Sequence, residues 1–275
     1  MKPIKISILT PSYNQAAFIG NTIESVQRQG YPQVEHIVID GGSIDGTVEI
    51  LGKHPHLRWV SERDRGQADA LNKGLRMSSG DVIGWINSDD YYCENVFPQV
   101  ARLFENEGTQ WVTGGVARCI DDGTPVPPRT VTPTTYDSLL RNPHSTSQPA
   151  TFFRKELVNN AGGWDERFHM VMDLDLWIRM AKYAAPVMVN EPWAVFRHHT
   201  GQKTNGGNYL RQAHEINRIL KREHAPMFHR YWLFSRSHIL YLKYCATSVL
   251  ARVRLIDRRK VDIPLGSSVW TEAKG

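Results

Sequence analysis

The sequence predicts an α/β fold: a mostly parallel, Rossmann-like sheet, doubly wound, with helices on both faces. Three observations point there. From Lys5 to Asp90, short apolar runs alternate with segments of helical periodicity. Each apolar run ends in a breaker or a polar turn. The 275 residues, 41% hydrophobic, suffice for one large domain or a domain with an appendage.

Each element can be read in order. Lys5 to Thr10 is a first buried strand, broken by Pro11-Ser12-Tyr13-Asn14. Ile19, Ile23 and Val26 recur at helical spacing until Gly30-Tyr31-Pro32 stops the helix. Glu35 to Ile39 is a second strand ending at Asp40, and Gly41 to Thr47 is a tight turn before a short helix. Leu57 to Val60 is a third strand and Gly66 to Met77 a helix. Val82 to Ile86 is a fourth buried strand, running into Asn87-Ser88-Asp89-Asp90. The second half is less regular. We expect a helix over Asn95 to Asn106, strands at Trp111 to Ala117, Ala150 to Phe153 and Val187 to Val189, and a helix over Asp173 to Tyr183. Asp121 to Thr135 reads as a loop, and the chain after Asn208 as helical and basic. The expected domains are 1–207, with a nucleotide-binding half to about 117 and an acceptor half from 118, and a 208–275 extension. The boundary falls near Asn205-Gly206-Gly207.

Composition narrows the function. Cys93, Cys119 and Cys245 match neither a zinc spacing nor a disulfide framework, so a reducing compartment is expected. No signal peptide or spanning run is expected, which favours the cytoplasm. The net charge of +5 is uneven: Tyr209 to Lys260 carries 12 Lys and Arg against 3 Asp and Glu, leaving −4 for the rest. An anionic surface therefore suits the C-terminal part. Met227 to Lys260 mixes aromatic, aliphatic and basic residues as interfacial helices do. Such a segment either rests on the cytoplasmic face of a membrane or packs on the domain or a dimer partner.

Chemistry is expected at the carboxyl edge of the sheet, where open α/β folds bind ligands. Four polar turns would share that edge: Pro11 to Asn14, Asp40 to Asp45, Glu62 to Arg65, and Asp89-Asp90. Adjacent carboxylates repel unless a cation or hydrogen-bond donors offset them, and Mg²⁺ takes one or two carboxylates together with substrate phosphates. The plainer alternative is that Asp90 caps a following helix and that Asp40 to Thr47 is turn chemistry alone. The first turn lacks the Gly-x-Gly-x-x-Gly pattern of dinucleotide dehydrogenases.

Several motifs together resemble family 2 glycosyltransferases of the GT-A fold. They are Thr-Pro-Ser-Tyr-Asn (10–14), Asp-Gly-Gly-Ser-Ile-Asp-Gly-Thr (40–47), Ser-Glu-Arg-Asp-Arg-Gly (61–66), Ala-Leu-Asn-Lys-Gly-Leu (70–75) and Asn-Ser-Asp-Asp (87–90). In the same order follow Gly-Gly-Trp-Asp-Glu (162–166), Asp-Leu-Asp-Leu-Trp-Ile-Arg (173–179) and Phe-Arg-His-His-Thr-Gly (196–201). Within the family the chain looks nearest to bacterial enzymes that build surface polysaccharides.

The resemblance implies roles. Pro11, Tyr13 and Asp40 would line a nucleoside pocket, with Asp40 facing the base. Asp64, Arg65 and Lys203 would approach the nucleotide and diphosphate. Asp90, with His199, would hold Mn²⁺ or Mg²⁺, and Asp89 would lie by the ribose or sugar. Asn87 stands where relatives often carry Asp, and Met172 where many carry Glu. Asp173 would be the general base of an inverting transfer, unless it merely caps its helix. Asp175, about 200° further round an ideal helix, would not share its face. Trp164, Asp165 and Glu166 would shape the acceptor site, Trp164 by stacking on a sugar unless it is a core residue. The implied activity is transfer of a sugar from a nucleoside diphosphate, UDP favoured, to a hydroxyl of a glycan or lipid-linked glycan. The rivals are a non-catalytic nucleotide-sugar or glycan-binding protein of the same fold and a basic nucleic-acid-binding protein, for which no reading surface is evident.

Overall fold

A computed structural model describes residues 3–120, 124–126, 134–142, 148–203, 208–227 and 230. The chain divides into two compact units, Met1–His199 and Thr200–Gly275. The expected boundary at 205–207 lies outside the described residues, as does the C-terminal segment apart from Met227 and Arg230.

The first unit opens with the expected alternation: β1 (Ile6–Ser12), α1 (Ile19–Gln27), β2 (Val34–Asp40), α2 (Thr47–Leu51), β3 (Arg58–Ser61), α3 (Gln67–Met77) and β4 (Val82–Trp85). These four strands are parallel in the order β3-β2-β1-β4, so their carboxyl ends share one edge. Side chains of β1 alternate between layers. Ile6 and Ile8 join a core with Val82, Phe97, Phe152 and Trp193. Leu9 and Ile39 lie under α3, where a Cβ on Gly74 would come within 2.5 Å of Ile39 Cδ1. Glycine therefore lets that helix sit down on the sheet.

The remaining elements of this unit are β5 (Tyr91–Tyr92), α4 (Val96–Phe104), β6 (Trp111–Ile120), β7 (Pro125–Val126), α5 (Tyr136–Arg141), a 3-10 turn (Gln148–Ala150), β8 (Thr151–Arg154), α6 (Lys155–Asn160), α7 (Met172–Ala181) and β9 (Val187–His198). They extend the sheet through β8, β6 and β9 to β5, with β8 antiparallel to both neighbours and β9 parallel to β6. The fold class is the expected one, and two elements are corrected. Pro125–Val126, inside the expected loop, is a short strand paired with β6. The last strand does not stop at Val189 but continues to His198. Pro192 is tolerated inside it because it faces Gly115 where the register of β6 and β9 shifts. The distal end of β9 then pairs with β5, Tyr91 opposite Val195.

In the second unit, α8 (Tyr209–Arg222) buries Ala213, Ile216, Ile219 and Leu220 and exposes Arg211, Arg218 and Lys221. Among the described residues no helix is long and apolar enough to cross a membrane.

One buried group ties this fold to pH. His36, in β2, is 3% exposed. Its Nε2 lies 2.9 Å from Thr10 Oγ1, and its Nδ1 has no partner among the described residues. Burial, with His56 and His54 nearby, lowers its pKa to about 3 from 6.5. The unfolded chain therefore takes up this proton first, and the stability is lost as pH falls from about 6.5 toward 3. His36→Gln should remove that limb. The stability difference between wild type and variant, from urea melts, should change by about 1.4 kcal/mol per pH unit in that window. A difference independent of pH would show that His36 is not buried in its neutral form.

Candidate active site

The site begins with two turns sewn together at the carboxyl ends of β1 and β2. Asn14, in the left-handed region at φ 51°, donates its backbone N–H to Ser43 Oγ and accepts from Ile44 N–H at 3.0 Å. Gln15 N–H donates to Thr47 Oγ1, Ala16 N–H to Asp45, and Gly41 N–H to Ser12 O. Tyr13 is left 61% exposed at the rim, and Pro11 is buried as the penultimate residue of β1. Asp64, after β3, accepts from Gly66 N–H, and a Cβ on Gly41 would lie 2.8 Å from its Oδ2 and 3.3 Å from the Tyr13 ring. Only glycine leaves room there for Tyr13 and Asp64 to approach each other.

Asp40 differs from its expected place. It is fully buried, and its Oδ2 accepts from Gly42 N–H (3.1 Å), Ser43 N–H (2.8 Å) and Ser61 Oγ (2.6 Å). Its Oδ1 accepts from Ser43 Oγ at 2.5 Å. The carboxylate expected to face a base instead fixes the turn, as Asx geometry does.

The Asn87–Asp90 turn follows β4. Asp90 is fully buried, with Oδ1 accepting from Arg197 N–H at 3.1 Å and Oδ2 lying 3.5 Å from Asn87 Nδ2. Thr22 Oγ1 holds the turn from below by donating to the carbonyls of Ser88 and Asp90. Burial and the neighbouring Asp89 carboxylate push Asp90 well above the usual carboxylate range, against the hydrogen bonds from Arg197 and Asn87. Asp89 is partly exposed, and its Oδ2 lies 3.0 Å from His199 Nε2. His199 also packs on Phe18, ring centroids 4.3 Å apart. Pairing of β5 with β9 produces this meeting, because it sets the residues just before Tyr91 against those after Val195. His198 is separated from its neighbour and takes Arg118 as partner, at 2.8 Å. The expected arrangement is therefore corrected in one respect: the carboxylate beside His199 is Asp89, and Asp90 lies behind it, turned to the backbone of β9.

These residues fit a divalent cation in part. Two donors 3.0 Å apart match adjacent corners of an octahedron with bonds of about 2.1 Å. Two adjacent carboxylates, one of them buried, are also relieved by a nearby positive charge. Among the described residues no three His, Cys, Asp or Glu side chains group as a ready-made metal site. The chain would thus supply only part of a coordination shell, as Mg²⁺ sites completed by substrate phosphates do.

The third sector carries the expected acceptor residues. Gly162 and Gly163 adopt φ of 84° and 70°, turning the chain into Trp164. Asn72 of α3 clasps that turn, accepting from Trp164 N–H at 3.0 Å and donating to Trp164 O at 2.8 Å. Of the two readings of Trp164, stacking on a sugar or a core residue, the structure has the second. Trp164 is 2% exposed, with Trp85 edge-on at 5.8 Å and Phe153 at 6.0 Å, so it belongs to the core. Asp165 is clasped by Arg167, which holds it below its ordinary pKa. Glu166 pairs with Arg65 at 2.9 Å, and Arg65 also reaches Asp69 at 3.2 Å. Arg65 is thereby joined to the 162–166 turn as well as to the edge where a nucleotide is expected.

Asp173 is the second residue of α7 and partly exposed, while the cap position is Val171. It is not the N-cap. Asp175, two residues on, is fully buried, and its Oδ2 takes Arg179 Nε at 2.9 Å and Nη2 at 2.6 Å. Lys203 lies exposed in the second unit. The residues that the sequence reading missed are Thr22, Arg197, Gln67 and Gln148. Polar residues so far apart in the chain gave no local signal of their convergence.

A family model described as glycosyl transferase family 2 matches residues 7–162. The chain belongs to glycosyltransferase family 2. An uncharacterized glycosyltransferase of Mycobacterium tuberculosis is 31% identical over 196 residues, 67% of this chain and 71% of that one. A Bacillus subtilis glycosyltransferase, TuaG, named for teichuronic acid biosynthesis, is 31% identical over 149 residues, 51% of this chain and 58% of its own length. Among solved structures, S. aureus TarS 1–349 in complex with UDP-GlcNAc aligns with a TM-score of 0.64 and 16% identity over 85% of this chain and 71% of TarS. The mannosyltransferase PcManGT from Pyrobaculum calidifontis, in complex with GDP-Man and Mn²⁺, aligns with a TM-score of 0.59 and 18% identity over 94% of this chain and 77% of its own. These likenesses give this glycosyltransferase the GT-A fold.

Proposed function

We propose that this glycosyltransferase moves a sugar, with inversion, from a nucleoside-diphosphate sugar to a hydroxyl of a bacterial surface glycan or its lipid-linked precursor. The observation that carries this reading is the Asp89–His199 pair, 3.0 Å apart beside buried Asp90, at the same sheet edge as the sewn turns of β1 and β2. A UDP-sugar is the favoured donor, supported by the TarS complex with UDP-GlcNAc. The name of TuaG supports a polysaccharide setting. The reaction takes place in the cytoplasm, with the basic C-terminal segment against the inner face of the membrane. Its charge segregation supports that placement.

The residues divide the work. Tyr13 and Asp64 border the nucleoside, beside the turn that Asp40 fixes. Asp89 and His199 face the diphosphate, and Arg65 adds positive charge to that side. A bound Mn²⁺ or Mg²⁺ supplies charge neutralisation at the leaving diphosphate. Asp165 and Glu166 orient the acceptor. Asp173 takes the proton from the acceptor hydroxyl as its oxygen attacks the anomeric carbon from the face opposite the diphosphate. One C–O bond forms, the bond to the diphosphate breaks, and its electron pair leaves with the nucleotide.

Stereochemistry tests this directly. Proton NMR of an α-linked UDP-sugar turned over by the enzyme, with water standing in for the acceptor, should show the β-anomer first. Accumulation of the α-anomer first would contradict inversion and remove the need for a base at Asp173.

A further inference from the structure

Asn87 stands at the head of the acidic turn Asn87–Asp90. It is the centre of a partly buried network of side-chain amides. Its Oδ1 accepts from Gln67 Nε2 at 2.7 Å and from the Trp85 indole at 3.0 Å. Its Nδ2 donates to Gln148 Oε1 at 3.0 Å and lies 3.5 Å from Asp90 Oδ2. Gln148 is itself fixed, because its Nε2 donates to Trp85 O at 2.6 Å. Both ends of the Asn87 amide are thus read, and Gln148 cannot rotate its own amide without losing the Trp85 carbonyl. The three partners come from the start of α3, the end of β4 and the 3-10 turn before β8.

We propose that Asn87 is a positioning residue whose amide, held by Gln67, Trp85 and Gln148, sets the Asp90 carboxylate and so the cation affinity of the Asp89–Asp90 turn. This rests on the proposed nucleotide–cation site and deepens it. A carboxylate here would keep the oxygen facing Gln67 and Trp85. Its other oxygen would meet Gln148 Oε1 and Asp90 Oδ2, acceptor against acceptor. Asn87 then acts through its neighbours and not as a ligand.

Asn87→Asp tests this in the full chain. The measurement is thermal unfolding with the nucleoside diphosphate that stabilises the wild type most, titrated with Mn²⁺. The Mn²⁺ concentration giving half the nucleotide-dependent shift should rise at least about tenfold, the scale seen when groups behind a metal ligand are changed. Gln29→Glu makes the same amide-to-acid change in another buried network. Gln29 donates to the carbonyls of Ser25 and Cys93 and accepts from the N–H groups of Val96 and Phe97. It should lower the unfolding temperature and leave the Mn²⁺ midpoint where it was. If Asn87→Asp does not fold, Gln148→Ala removes the outer partner and should raise the midpoint in the same direction. A wild-type midpoint in Asn87→Asp, or in Gln148→Ala where that variant stands in, overturns the inference and leaves the proposed function standing. An equal rise in Gln29→Glu overturns it too, since any loss of rigidity would then suffice. No Mn²⁺-dependent nucleotide shift in the wild type overturns the proposed function, and the inference with it.

Discussion

Asp173→Asn is expected to cut turnover of the donor about 10²–10⁴-fold, the usual worth of a positioned general base. It should leave the protein folded and the nucleotide response unchanged, with a stability loss of no more than about 1 kcal/mol, the scale of a charge in a helix's first turn. The side chain is partly exposed in the first turn of α7, and the helix cap is Val171, so the substitution removes no cap and opens no cavity. An amide of the same shape keeps the local packing and cannot accept the proton. Turnover within a few-fold of wild type would remove Asp173 as base. Loss of turnover together with loss of stability would make its role structural.

Asp175→Ala should do the opposite. Asp175 is fully buried and holds Arg179 through two hydrogen bonds, and Arg179 Nη1 also donates to Ala161 O. Removing the carboxylate leaves a largely buried guanidinium without its counter-charge, which typically costs about 3–5 kcal/mol. Urea melts should record that loss, and because Ala161 immediately precedes Gly162, the 162–166 turn should lose hydrogen-exchange protection with it. Two carboxylates two positions apart should thus separate chemistry from stability, and the pair of variants is more informative than either alone. A loss under about 1 kcal/mol, as for exposed ion pairs, would show that the Asp175–Arg179 pair is solvated.

The parallel half of the fold was legible because its signals are local. A short apolar run followed by a Pro or a polar turn marks a strand end without help from the rest of the chain, and four of these in succession leave little choice of topology. The turns of the site were legible for the same reason. What escaped depends on pairing between distant segments. Residues 193–198 extend β9 only because β6 and β5 accept them on either side, and that pairing alone brings His199 to Asp89. Asp40 and Trp164 were read in the right turns, but the sequence left each open between an outward and an inward role. Carboxylates and indoles serve equally well inside, where Ser43 and Ser61 satisfy the first and Trp85 and Phe153 cover the second. The departure at Asn87 was visible in the sequence, but its meaning depended on Gln67 and Gln148, which no local pattern connects to it.

The claim at the centre of this account is that the carboxyl edge of the sheet binds a nucleoside diphosphate together with a divalent cation. Thermal unfolding with UDP, GDP, CDP and dTDP, each with and without Mn²⁺, tests it most directly. A ligand at about 100 times its Kd adds roughly 2.7 kcal/mol, and each kcal/mol moves the midpoint of a chain this size by roughly 2–4 °C. A shift is expected for one nucleotide, UDP foremost, that requires Mn²⁺ and is lost in Asp89→Asn. A folded protein that responds to none of the four, or equally with and without Mn²⁺, would contradict it.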